Sequence, residues 1–320
     1  MSGSTPVFVR EDHIMKRLRS LLSGLRGFYR GNTAGIVGTS IVVIITVMCL
    51  AAPALTEYDP NKRVARGHEA PSAEHIMGST RAGKDVWSQA LYGGRVSLMV
   101  AFAAATVTSI IALGVGVSAG YFGGRTDEIM MAITNVMLVF PQLPLLIILA
   151  AFLGNVGPFI IALILGLTSW PWGARVMRSQ TLAIRRKEFI TAAEIMGESK
   201  WRIIVVEIMP NLISLAAGMF VGTALYAIGA QAGLEFLGLG DPTVTSWGTM
   251  LYWAQSSAAF FVGAWWDFVV PGTFIALVGG GLALINISID QVSNPKLKTG
   301  TYLKRWRQLN AEVEAKRQGA

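Results

Sequence analysis

Apolar positions along this chain gather into long uninterrupted runs, not into the alternation of a half-buried strand or the stripe of a surface helix. Runs near 34–55, 95–120, 128–152, 211–232 and 271–290 reach or nearly reach the length a helix needs to cross a bilayer core, about 20 residues. A sixth, near 156–176, is apolar through Leu167 and closes on Ser169-Trp170-Pro171-Trp172. The pattern predicts an all-α integral membrane protein with six transmembrane helices. Pro141 and Pro144 fall inside the third run and predict a kink there. The first run is too long for the core of a secretory signal and follows a long polar tail, so it reads as an uncleaved span, 34–56. The remaining organisation is a tail at 1–33, a loop at 57–93, a five-helix core at 94–291 containing a polar loop at 178–210, and a tail at 292–320.

Composition agrees with this picture. Hydrophobic residues make up 52% of the chain and charged residues 14%, too few to cover a soluble domain of this size. The net charge of +8 would suit nucleic acid if it were gathered on one soluble surface. It is instead sorted by loop. Of the 27 Lys and Arg, only Lys62, Arg63, Arg66, Arg81, Lys84 and Arg95 lie on the face opposite the termini. The positive-inside rule then puts both termini and the 178–210 loop in the cytoplasm, and no nucleic-acid partner is expected. Trp265 and Trp266 fall at the outer interface and Trp172 at the inner one. Within 12–30, Ile14, Leu18, Leu21, Leu22, Leu25 and Tyr29 recur at helical spacing among basic residues. That predicts an amphipathic helix lying on anionic lipid or on the protein's own cytoplasmic face. Tyr302–Arg317 is a weaker version of the same pattern.

Reactive chemistry is sparse. Cys49 is alone in an apolar run, and His13, His68 and His75 are scattered, so no disulfide, metal site or cofactor is expected. The span interiors carry no ionisable residue; Arg95, Glu128, Arg175 and Asp290 stand only at their ends. Ion-coupled carriers need acids or histidines at membrane depth, and a membrane enzyme needs convergent acids, histidines or a nucleophile. Both classes are disfavoured, as is a stand-alone channel; a membrane scaffold without transport stays open. Gly78–Asp85 nearly matches the phosphate-binding G-x-x-x-x-G-K-[ST], but Asp85 replaces the hydroxyl and no strand precedes it. Any ATPase is therefore another chain.

The loop at 178–210 holds the informative pattern. Ile184, Phe189, Ala193, Met196, Ile203 and Val206 recur at roughly helical spacing. Gly197 suits a turn of positive φ ending a first helix, and Pro210 suits the first turn of the next span. A short helix, a turn, a second helix and re-entry into the membrane are predicted; a solvated elbow without a partner is the plainer alternative.

Ala192-Ala193-x3-Gly197, then Ile208-Met209-Pro210, is similar to the "EAA" signature of binding-protein-dependent ABC importer permeases. That resemblance implies the type I ABC-importer permease fold, with 188–198 as a coupling helix seated in a cytoplasmic ATPase. Its ATPase-coupling residues would be Glu188, Thr191, Ala192, Ala193, Gly197, Ile208 and Pro210. Thr191 stands where the signature has an acid, and Glu188 or Glu194 is the alternative source of that contact. His75–Gly78, Gly83–Val86, Leu91–Leu98, Gly120–Gly124 with Asp127-Glu128, Phe140-Pro141 and Leu234–Gly240 resemble the dipeptide/oligopeptide permease C subunit. The likeness covers roughly 34–298. It implies a multi-pass protein of a bacterial or archaeal inner membrane. Its partners would be a homologous permease in a heterodimer, two ATP-binding subunits and an extracytoplasmic solute-binding protein. Peptides are the cargo it implies first and short oligosaccharides the second. Trp247, Trp253, Trp265 and Trp266, in an outer segment without basic residues, read as interface anchors before sugar-stacking rings.

Overall fold

A computed structural model describes residues 32–154, 156–293, 306 and 310. The two tail helices predicted at 12–30 and 302–317 lie essentially outside the described residues. The chain is helical from α1 (Thr33–Leu50) and its short continuation α2 (Ala52–Leu55) to α10 (Trp266–Ser293). Between them run α3 (Val86–Phe122), α4 (Gly124–Val139), α5 (Gln142–Leu153), α6 (Pro158–Arg185), α7 (Glu188–Ile195), α8 (Lys200–Phe236) and α9 (Trp247–Ser256). Among the described residues five helices, α1, α3, α6, α8 and α10, are long and apolar enough to cross a membrane.

The sixth crossing is α4 and α5 together, and here the kink becomes a break of 83°. Phe140 is extended (φ −72°, ψ 127°) and Pro141 caps α5, so two helices meet at a corner where one bent helix was expected. Two other boundaries also differ from the hydropathy pattern. Helix α3 begins at Val86, well before the apolar run at 95, because Asp85 caps it through Ser88 N at 2.8 Å. Helix α8 runs unbroken through Pro210, where a fresh start was expected. A π-helical turn at Ile203–Ile208, closed by Met209 N to Ile204 O, absorbs the proline's missing N–H.

Lipid offers helices no hydrophobic reason to associate, so close approach must come from small residues. A Cβ on Gly116 of α3 would stand 2.5 Å from the Ala174 carbonyl of α6, and one on Gly38 of α1 the same distance from the Gly281 carbonyl of α10. These glycines serve packing within the chain. Gly114, Gly229 and Gly280 have open space instead.

The two ends of the bundle are distinguished by their own contacts. At one end a cap forms from residues 57–85, the segments 156–157 and 237–246, and α9. Val156 pairs with Gly240, Thr245 bonds Asn61, and the indole of Trp266 donates to Ser79 O at 3.1 Å. The opposite end carries the α3–α4 turn and the elbow 186–208, where Phe122 meets Trp201 edge-on.

Candidate functional site

The elbow forms in the order its residues dictate. Helix α7 ends at Gly197, whose φ of +79° puts it in the left-handed region. Gly197 N bonds Glu194 O and Glu198 N bonds Ala193 O, both at 3.1 Å, which is the Schellman closure. Ser199 then opens α8 by accepting from Arg202 N, and Glu198 pairs with Arg202 at 2.8 Å. The helix–turn–helix outline expected from Gly197 is present, with the second helix and the span fused into one rod.

The inward face differs from the expected spacing. Ile190 and Ala193 of α7 are buried against Ile203, Ile204, Ile208 and Leu212 of α8 and against Val117 and Tyr121 of α3. Phe189, Met196 and Val206, which the helical period assigned to this face, are exposed. The π turn inserts an extra residue per turn, and a chain apolar on two faces leaves periodicity ambiguous. Among the coupling candidates, Ala193 and Ile208 thus belong to the core of the elbow. Glu188, Thr191 and Ala192 lie exposed, with Ile195, on the outward side of α7. Among the described residues the Thr191 hydroxyl makes no hydrogen bond. Gly197 forms the turn, and Pro210 follows the π segment.

What α7 and α8 leave uncovered is apolar. Ile195 is 81% exposed, Met196 74% and Trp201 69%. Contiguous exposed side chains of this size mark a surface that another molecule covers.

A groove of about 460 Å³ opens among the spans. Its walls include Gln142 of α5, Ser169 of α6, Ser214 and Tyr226 of α8, and Asn286 and Asp290 of α10. Gln142 donates to Ser169 Oγ at 2.8 Å, while the Tyr226 hydroxyl has no hydrogen-bond partner among the described residues. Polar groups facing hydrocarbon are costly, so this wall must face water or another protein. Gly218 and Gly222, small residues of α8, widen the groove. No sequence signal points to it, because its polar residues are spaced across five helices, Thr108 of α3 among them.

The cap resolves the phosphate-loop likeness. Gly78 and Gly83 have positive φ, and Asp85 leads into a helix. The Asp85 carboxylate fills that helix N-terminus itself, accepting from Ser88 N and Ser88 Oγ and facing His75 Nδ1 at 3.0 Å. A phosphate would meet a carboxylate there instead of free N–H groups. The four tryptophans of the outer segment divide. Trp247 and Trp266 are buried and donate to Ala90 O and Ser79 O, whereas Trp253 and Trp265 are exposed. The helix ends also admit charges beyond the assigned spans. Glu235, in the last turn of α8, is buried and accepts from Gln231 and from Ser246, the residue that caps α9. Arg178 of α6 and Asp127 of α4 form an ion pair. Among the described residues, no group of three or more His, Cys, Asp or Glu could hold a metal.

The family profile described as "Binding-protein-dependent transport system inner membrane component" matches residues 112–298. The oligopeptide transport system permease protein OppC of Bacillus subtilis is 30% identical, over 90% of this chain and 93% of its own length. The dipeptide transport system permease protein DppC of Alkalihalophilus pseudofirmus is 34% identical, over 84% of this chain and 88% of its own. Among solved structures, an inward-facing MetNI methionine ABC transporter chain matches with a TM-score of 0.51 and 19% identity, covering 66% of this chain and 96% of that one. The last likeness concerns the fold alone: the type I importer permease architecture.

Proposed function

The chain belongs to the family of binding-protein-dependent transport system inner membrane components, and on that premise we propose that it is the permease subunit of an ATP-driven importer of di- or oligopeptides. The names of its relatives support the peptide cargo. The partners are a homologous permease, forming a heterodimer, two cytoplasmic ATP-binding subunits that hydrolyse the ATP, and an extracytoplasmic solute-binding protein. Both tails and the elbow face the cytoplasm and the cap faces outward, in keeping with the sorting of Lys and Arg.

The observation that carries the coupling role is the elbow: a rigid turn at Gly197 holding an uncovered apolar face. ATP binding closes the ATPases and displaces α7. Helix α7 is packed through Ile190 and Ala193 onto the π turn of α8, and α8 continues without a break to Ser214 and Tyr226 in the groove. A push at α7 therefore reaches the groove along one helix. The groove is the proposed substrate path, and its two accessible states form an equilibrium biased by the ligand of a partner.

Gly197→Val tests this. A β-branched residue in the left-handed region costs roughly 1–2 kcal/mol and distorts the turn. In the reconstituted importer we expect ATP hydrolysis without tripeptide uptake, with membrane insertion unchanged. Normal uptake would overturn the coupling role. Uptake of maltotriose in preference to trialanine by the wild-type importer would replace the peptide cargo with an oligosaccharide.

A further inference from the structure

The cap holds an open-mouthed cavity of about 750 Å³ between residues 61–89, the 242–245 turn, α9 and the start of α10. A volume of that order is that of a small-molecule site. Its walls are chemically mixed. Trp253 and Met250 supply apolar surface, Asn61 and Gln89 amides, Arg81 and Lys84 two cations, and Asp267 one carboxylate.

Asp267 is the unusual member. It is 5% exposed, and its Oδ1 has no hydrogen-bond partner among the described residues. The nearest basic group is His68, whose Nδ1 stands 3.5 Å from Oδ2 and is itself without a hydrogen bond. Burial, and then the Arg81 guanidinium, hold the His68 imidazole below its ordinary pKa. Among the described residues no cation pairs with Asp267: the His68 ring beside it is held toward its neutral form, and no Lys or Arg lies within ion-pair distance. A buried carboxyl group in that condition is held neutral, or charged only when something polar reaches it. Neither Arg81 nor Lys84 is in an ion pair among the described residues.

We propose that this cavity is a second binding site on the permease, taking a small zwitterion with a free amine and a free carboxylate. The ligand's ammonium reaches Asp267, its carboxylate is held by Arg81 and Lys84, and its apolar part lies on Trp253 and Met250. A short peptide with free termini has this chemistry. The site would receive the cargo at the outer mouth, ahead of the groove among the spans. This assignment rests on the peptide reading above.

The test uses the assembled importer in lipid nanodiscs, without binding protein or ATP, and labelled trialanine as the probe. Saturable binding is expected, weakened at least tenfold by N-acetylation of the probe and by D267N. The double variant R81A/K84A should weaken trialanine binding and leave the C-terminal amide of trialanine unaffected. D267N and R81A/K84A both binding trialanine like wild type, or no saturable binding, would overturn the site. ATP-driven uptake with the binding protein present separates the two readings. Tripeptide uptake without cavity binding overturns the site and leaves the cargo standing. Absence of tripeptide uptake overturns the cargo, and with it the peptide ligand.

Discussion

At one end of the bundle the cap turns its polar side chains inward; at the other the elbow turns apolar side chains outward. In the cap, His75, Ser79, Asp85, Ser88 and Gln89 are all buried and all hydrogen-bonded, and two tryptophan indoles pin the loop to the spans. In the elbow, the buried set is a handful of aliphatic residues, and Ile195, Met196 and Trp201 stand in the open. Apart from His68 and Asp267 at the cavity, the buried polar groups of the cap are satisfied by its own chain. A loop with a rigid turn and a bare apolar face is half of an interface. The difference supports the proposed coupling role: the end whose structure is incomplete alone is the one proposed to meet the ATPase.

That comparison can be broken from either side. The largest effect is expected in the cap. Asp85→Ala removes the cap of α3 and strands Ser88 N–H and His75, which should cost about 2–4 kcal/mol. Thermal unfolding of the purified permease measures it, and a negligible change would mean the cap is not self-supporting. Next comes the elbow. Ile195→Asp combined with Met196→Asp should leave that unfolding temperature in place while weakening capture of the ATPase at least tenfold, ~1.4 kcal/mol. Equal capture would remove the elbow from the interface. Trp266→Phe, which loses the indole bond to Ser79 and part of a buried ring, should destabilise by about 1–2 kcal/mol without touching ATPase capture. Smallest is Trp201→Ala. Its exposed ring contributes within about 0.5 kcal/mol to folding, so any loss should appear in capture alone.

Much of this architecture is legible in the apolar runs, because a span's length is set by the bilayer and needs no tertiary knowledge. Gly197 is legible for a similar local reason: a helix end in the left-handed region selects glycine. The elbow's inward face is not. Phe189 and Ile190 are equally apolar, and only the packed structure shows which of them meets α8 and which is exposed. The same holds for Trp247 and Trp253, one buried and one exposed within a single short helix. The burial of Glu235 is illegible because α8 outlasts its hydrophobic run, carrying an acid into the interior where Gln231 and Ser246 satisfy it. The groove is illegible for a geometric reason: its polar residues are single positions on separate helices, each unremarkable in its own run.

The corner between α4 and α5 has a consequence for how the chain is made. Helices of 16 and 12 residues rise about 24 Å and 18 Å, each short of a ~30 Å core. Neither is a convincing membrane segment when it first leaves the ribosome. Helix α4 buries little beyond Thr134, and the arginine that pairs with its Asp127 lies far downstream in α6. In the folded chain the Arg178–Asp127 pair ties this short-helix stretch to α6, so its place in the bundle is expected to depend on α6, a segment made later.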